Sequence, residues 1–370
     1  MNIVTVAACS RQQVLSNVCI SVNDATINPN VRHRAVGGLT GSRTAGALAR
    51  VCMEQTLHHF KDRWQSFGFR RRVIAGVWVD NVHVASDTPQ KALNILNDAE
   101  DHLQRYWELT FKPSSKSIML AQGSDQTCND PHYALVTRFA TLGHILTPTG
   151  SCRPCFDATI KAACKQFVLR ISPMCFGKLP LQRRLEALKR YVVPVIRYRC
   201  SRWSFAKHMF RLLDITQRKM LRITCRVTRL MDESPDVFAR RASRLVAATQ
   251  CEQGFWSDLW AKQVVWWAAH IIRNTKANCL AFNLLDVQSS FALAEVRASN
   301  GNRPGTRSSA GWLPVRWTDG VKTALLRLQS KGLFHTVRDK IQDACKHRFP
   351  DACFHDMEEE FLTATFLSHF

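Results

Sequence analysis

The sequence predicts an α+β protein in which an antiparallel sheet with packed helices is followed by a region built mostly of α-helix. Three observations predict it. Two β-branched apolar runs, Val73 to Val79 and Val82 to Ala85, are separated only by Asp80 and Asn81, the pattern of a tight β-hairpin with a carboxylate in its turn. From Thr88 the apolar period lengthens, with Ala92, Leu93, Leu96, Ala99, Leu103 and Tyr106 on one face of a helix of about twenty residues. From Asp157 to Ala277 nearly every stretch keeps that helical period, broken at Pro173, Pro180, Pro194 and Pro235.

The elements follow in order. Residues 1–35 open on a short apolar run ending at Cys9 and pass a turn-like cluster at Asn28, Pro29 and Asn30, with no function legible. Thr44 to Trp64 reads as a helix, with Ala47, Leu48, Val51, Cys52, Gln55, His58 and His59 at helical spacing and small residues early. Arg70, Arg71 and Arg72 precede the hairpin and suit either a phosphate backbone or a solvated strand edge. Residues 281–315 hold a basic Gly/Ser-rich linker, and residues 316–370 read as one or two amphipathic helices with an acidic run at Glu358 to Glu360.

Composition narrows the partners. The 370 residues suffice for two domains or one large one, and 46% hydrophobic content is ordinary for a packed core. The formal net charge of +22 is not ordinary, and it is unevenly placed. Residues 1–150 hold 15 basic and 11 acidic side chains, 151–280 hold 25 and 8, and 281–370 hold 11 and 10. A middle region with that excess repels itself unless a polyanion lies against it, which points to nucleic acid ahead of an anionic membrane. No apolar run reaches the roughly 18 residues of a membrane span, and no secretory leader pattern is present. The fourteen scattered cysteines therefore read as free thiols of a soluble intracellular protein, nuclear or cytoplasmic, with no membrane partner.

Within the basic region Arg183, Arg184, Lys189, Arg190, Arg218, Lys219 and Arg222 are interleaved with Tyr191, Tyr198, Trp203 and Phe205. Cations alternating with rings suit a groove that follows a phosphate backbone and stacks on bases. Trp256, Trp260, Val264, Trp267 and Ile271 recur at helical spacing and read as a core stripe rather than a stacking surface. Cys152 and Cys155 have the spacing of half a zinc site but lack a matching second pair, so they read as structural thiols. Cys345, His347, Cys353 and His355 carry zinc-binding atoms at a spacing that assigns no known site.

Four segments carry a resemblance. Trp78, Val79, Asp80 and Asn81 resemble the aromatic-x-Asp-Asp box of reverse transcriptases. Upstream, Gly37 to Gly46, with Gly38, Gly41, Ser42 and Arg43, resembles the glycine-rich segment that positions template and incoming nucleotide. Downstream, Leu109 to Ser117 resembles the segment that supplies a lysine near the triphosphate, here Lys116, and Phe139 to Ile145 resembles the primer-grip hairpin, here Leu142 and Gly143. The four lie in the family's order, and the chain is most similar to the polymerases of LINE-like (non-LTR) retrotransposons over residues 36–147. The resemblance implies a partial polymerase palm at 36–147, a thumb-like basic helical region at 148–280, and RNA-directed DNA polymerase ancestry. Its partners would be an RNA and DNA template–primer and deoxynucleotide triphosphates, and its cofactor Mg²⁺ or Mn²⁺ at Asp80 and Asn81, with Lys116 as an acid beside the phosphates.

The sequence departs from the family at the metals. Nucleotidyl transfer of this type needs two divalent cations bridged by aspartates from separate strands. Asn81 stands where the second hairpin aspartate belongs, and no upstream strand ending in aspartate is legible in residues 1–35. Asp24 sits too near the glycine-rich segment and reads as a turn or cap residue. The glutamine usual before the second glycine is absent between Thr40 and Gly41, and Thr44-Ala45 replaces the usual Ser-Pro. The expectation is therefore a degenerate polymerase segment, truncated on its N-terminal side and weak or inactive alone. Two alternatives stand beside it: a non-catalytic nucleic-acid-binding protein of the same fold, and a remnant without selected function.

Overall fold

The computed structural model describes residues 4–9, 51–56, 58–60, 74–78, 81–86, 88–120, 127–128, 130–141, 143–148, 151–177, 179–203, 205, 207–273, 317–350 and 352–368. The chain divides into two compact units, 1–151 and 152–370. The described residues are mostly helical with a small sheet.

The first unit is built on a five-stranded sheet. Its strands are β1 (Val4–Cys9), β2 (Ile74–Trp78), β3 (Asn81–Ser86), β4 (Ser117–Met119) and β5 (Ala134–Leu135), in the spatial order β2-β3-β1-β4-β5. All neighbours are antiparallel except β4 and β5, which are parallel. The expected hairpin is present, with Trp78 opposite Asn81, so the chain reverses at residues 79 and 80 and Asn81 opens the return strand. The first residues, in which no strand with a partner was legible, supply the central strand: Val6 stands opposite both Val84 and Ile118, and Cys9 opposite Asn81. Pairing with β3 crosses a long stretch of chain, which no local pattern announces.

One face of this sheet is covered by helix. Val82, Val84 and Ile118 pack with Cys52, Met53 and Phe60 of a first helix, α1 (51–56 and 58–60), and with Ala92, Leu93, Ile95, Leu96, Ala99 and Leu103 of α2 (Pro89–Trp107). Thr88 starts α2 by accepting the Lys91 N–H at 3.3 Å, and Pro89 gives up no bond because the first turn has no partner for its missing N–H. The helix ends at Glu108, φ +54°, in a left-handed cap: Glu108 N–H returns to Gln104 O at 3.2 Å and Leu109 N–H reaches back to Leu103 O at 3.1 Å. That turn drops Leu109 and Phe111 into the core at 1% exposure each. Tyr106 departs from the expected apolar face, since it is 61% exposed in the last turn, where its ring lies 4.5 Å from that of His102. A second small sheet, β6 (Phe139–Thr141) with β7 (His144–Leu146), closes the unit.

The second unit is helical. It comprises α3 (Arg153–Gln166), α4 (Ser172–Phe176), α5 (Leu181–Tyr191), α6 (Val193–Cys200), α7 (Lys207–Cys225), α8 (Pro235–Gln253), α9 (Trp256–Arg273), α10 (Trp317–Ser330), α11 (His335–Arg348) and α12 (Glu359–Leu367). Pro173, Pro194 and Pro235 lie in the first turns of α4, α6 and α8, and Pro180 precedes α5, as their missing donors require. Between α3 and α4 the backbone widens into a π turn at Phe167–Ile171, one of the ways a helix accommodates a downstream proline.

The core of this unit is an aromatic cluster around α9. Trp260, fully buried, meets Trp203 edge-on at 5.4 Å and Phe205 at 4.8 Å, and Phe156 meets Trp203 at 5.1 Å. The α9 stripe is thus core at Trp256, Trp260, Val264 and Ile271. Trp203 and Phe205, expected among the stacking rings of the basic groove, are instead about 1% exposed and belong to this core. Gly320 allows α10 its approach, because a Cβ there would stand 2.7 Å from the Phe205 backbone nitrogen. Residues 317–368 form three helices where one or two were expected, since the 331–334 and 349–358 breaks interrupt the period. The linker at 281–315 lies outside the described residues.

Candidate nucleic-acid interface

At the hairpin, register places Trp78, Asn81 and Cys9 side by side at one end of the sheet. Cross-strand partners share a face, so positions 7, 9, 81 and 83 belong to the sheet face opposite the one bearing Val82 and Val84. Asp80 itself lies outside the described residues, as do Gly38, Gly41, Ser42, Arg43 and Leu142. Strand β1 reads Val-Thr-Val-Ala-Ala-Cys and brings no carboxylate to the hairpin. A pair of hard divalent cations wants carboxylates from two strands, and the described strands at this end of the sheet bring none. Among the described residues no three His, Cys, Asp or Glu side chains are grouped to hold a metal ion.

Lys116 is paired within the first unit. Its ammonium sits 2.5 Å from Glu100 Oε2 and 5.5 Å from the Tyr133 ring, with the side chain 14% exposed. The other Glu100 oxygen accepts the Phe111 N–H at 2.9 Å, so a single α2 carboxylate fixes the whole return segment. Burial, with Glu100 and Asp130 nearby, pushes the Tyr133 hydroxyl well above its usual range. Gly143, φ +77°, occupies the β6–β7 turn, a conformation other residues rarely adopt. This hairpin meets the sheet through Thr141 Oγ1 and His83 Nε2 at 3.0 Å, and the Phe139 ring packs edge-on to His83 at 5.8 Å. The segment resembling a primer grip thus rests on the strand that follows Asn81, while Lys116 is taken up structurally.

A shallow groove of about 750 Å³ opens between α1 and α2, lined by Glu54, His58, His59, His102 and Tyr106 among others. His102 Nδ1 lies 3.1 Å from Thr56 Oγ1, and its ring stands 4.7 Å from that of His59. Burial first, then the neighbouring His59 and Arg105 charges, lowers the His102 pKa.

The basic helices separate into buried and exposed cations. On α5 the Leu185, Ala187 and Leu188 face is buried, and Arg184 is buried with it, donating to the Thr224 carbonyl. Arg184 therefore leaves the set of expected backbone-contacting residues. Its neighbour Arg183 is exposed and pairs with Glu186 at 3.4 Å, while Lys189 and Arg190 face solvent. On α7 Leu213, Gln217, Met220 and Leu221 face inward and Arg218, Lys219 and Arg222 outward. Arg218 spends one N–H on Gln250 at 3.2 Å. Tyr191 and Tyr198 remain 40% and 61% exposed beside these cations.

Sequence pattern did not single out Arg240, Arg241 and Arg244 on α8, which with Val237 line a hollow of about 430 Å³. Their signal is the Arg pair at 240–241 with a third Arg three and four residues on. Cys155 is buried and accepts the Trp203 indole N–H at 3.4 Å, in keeping with a structural thiol. Cys345 is fully buried, with its thiol pKa pushed up to about 11 by burial, whereas His347, Cys353 and His355 lie at the surface. No helix among the described residues is long and apolar enough to cross a membrane. No family model, curated protein or solved structure matches the chain.

Proposed function

We propose that the chain is a nucleic-acid-binding protein of reverse-transcriptase-like build, which grips a template–primer-like duplex through its basic helices and lacks the carboxylates for metal-dependent nucleotide addition. The observation that carries the binding half is the sorting of charge in the helical unit: Lys189, Arg190, Arg218, Lys219 and Arg222 all face solvent on two helices whose other faces are core. Placing so many cations on a polyanion releases counterions, which is the main driving force for such binding. The observation that bears on catalysis is the register of Cys9 opposite Asn81, a central strand ending beside the hairpin without an acid. The Lys116–Glu100 pair points the same way, because a largely buried carboxylate already neutralises that ammonium.

Two measurements test this. Affinity for a DNA duplex or an RNA–DNA hybrid is expected to fall steeply with salt, and Arg218→Ala with Lys219→Ala to flatten the log–log slope by about 2, one for each phosphate no longer neutralised. Salt-insensitive binding, or none, sinks the proposal. Primer extension on an RNA template with Mg²⁺ or Mn²⁺ is expected to give no product at any protein concentration; incorporation abolished by Asp80→Ala would instead establish an active polymerase.

A further inference from the structure

The corner between α7 and α8 carries a feature that the basic faces alone do not explain. Residues 226–234 connect the two helices, and at the tip Leu230 is 61% exposed and Met231 fully exposed. Isolated surface apolar residues are ordinary, but these two are held out by a built scaffold. Glu233, 8% exposed, accepts from Arg241 with both carboxylate oxygens at 2.8 and 2.7 Å and from the Leu230 N–H at 3.2 Å. Arg241 also donates to the Thr228 carbonyl at 2.8 Å, and Arg229 Nε to the Glu233 carbonyl at 2.6 Å. At the near end Arg226 takes φ +50° and donates to the Gly177 carbonyl at 3.0 Å; at the far end Ser234 caps α8. A bidentate arginine–carboxylate clasp thus fixes the loop from inside, leaving its two apolar side chains no way to fold inward.

The segments that flank this tip carry five arginines, Arg222 and Arg226 at the end of α7, Arg229 in the loop, and Arg240 and Arg244 on α8, against the two exposed acids Asp232 and Asp236. All five are exposed. Rigid apolar side chains flanked by arginine are the means by which proteins enter a minor groove: the arginines hold phosphates on either side, and the apolar pair slides between base pairs and unstacks them. The B-form minor groove, about 6 Å wide, fits a tip of two side chains, whereas the A-form one is broad and shallow. A tip of only two apolar residues on a stiff loop offers little area to a lipid interface, which rewards broad apolar faces. We propose that Leu230 and Met231 form a wedge that inserts into the minor groove of a DNA duplex held by the surrounding arginines. This rests on the nucleic-acid reading above and adds to it a site of insertion.

The test uses the full chain and a DNA duplex carrying 2-aminopurine next to a TA step, whose fluorescence rises on unstacking. The wild type is expected to raise that fluorescence. Leu230→Ala with Met231→Ala, both at the surface, is expected to abolish the rise and weaken binding about tenfold while leaving the salt slope unchanged. Unchanged fluorescence and affinity in the double variant would overturn the wedge while the nucleic-acid reading stands. Failure of the wild type to bind any nucleic acid would remove both together. A variant defective only on an RNA–DNA hybrid overturns the minor-groove assignment, and one that loses phosphatidylserine vesicles but keeps DNA would make the tip a membrane contact.

Discussion

The two units spend their acidic side chains in opposite ways. In the sheet unit acids and bases are closer to balance, 11 against 15 in residues 1–150, and Glu100 neutralises Lys116. Residues 151–280 have 8 acids against 25 bases, and three of those acids are turned inward. Asp214 receives the Ser257 backbone N–H at 2.9 Å and its hydroxyl at 2.6 Å, joining α7 to the start of α9. Asp258 binds Arg327 at 2.8 Å and Lys331 at 2.7 Å, joining α9 to α10, and Glu233 clasps Arg241. With three of its eight acids turned inward, residues 151–280 are left with five acids to set against a largely exposed array of cations. Net charge and stability are thereby carried largely by different residues, so the surface charge can be varied with little effect on the joints between helices.

The largest test of that division is Asp258→Ala, which leaves Lys331 without its carboxylate and Arg327 with only Asp214, 3.9 Å away. It is expected to cost the helical unit about 3 kcal/mol, read as a lower urea midpoint by tryptophan fluorescence. Adding Lys331→Met should recover part of the loss; full stability in the single variant would show that the inward acids carry no load. In the sheet unit Glu100→Gln keeps an acceptor for Phe111 N–H but removes the charge facing Lys116. A smaller cost, about 1 kcal/mol, is expected, since the amide oxygen still accepts from Phe111 and a single ammonium loses its charged partner. A loss as large as that of Asp258→Ala would erase the contrast.

The smallest effect is the response to acid. Burial lowers the pKa of His83 below 6.5, and of His102 likewise, so each binds protons less readily in the fold than in the unfolded chain. Their contribution is full above pH 6.5 and is lost as the pH falls below it. Glu233, which hydrogen bonding to Arg241 lowers to about 2, contributes above its ordinary 4.5 and is lost only as the pH falls from there toward 2. Burial raises Asp214 above 3.8, so acid relieves rather than adds to its cost. Between about pH 7 and 5 hydrogen-exchange protection, taken relative to the intrinsic rate at each pH, should therefore fall around β3 and α2 while the α7–α8 corner keeps its protection. Equal loosening of both would break the comparison.

Much of this was legible from residues close in sequence. Thr88 and Pro89 announced α2, the prolines marked where helices begin, and the valine runs marked the hairpin, because caps, turns and periods are local. Arg183 and Arg184 were not separable in the sequence, although one is exposed and the other buried against Thr224, since which flank of α5 meets α7 depends on packing. Trp203 and Phe205 were misplaced for the same reason, their neighbours Phe156 and Trp260 lying far along the chain.

The sequence by itself determined the helix-rich composition, the hairpin, the places where helices start, and the excess of positive charge in the middle of the chain. These follow from backbone sterics and side-chain type within a turn or two. Only the tertiary structure decided that Val4–Cys9 is the central strand, that Cys9 rather than an acid stands beside Asn81, and which cations face outward. Strand pairing and burial are set by distant residues meeting, and they meet only once the chain has closed its long loops.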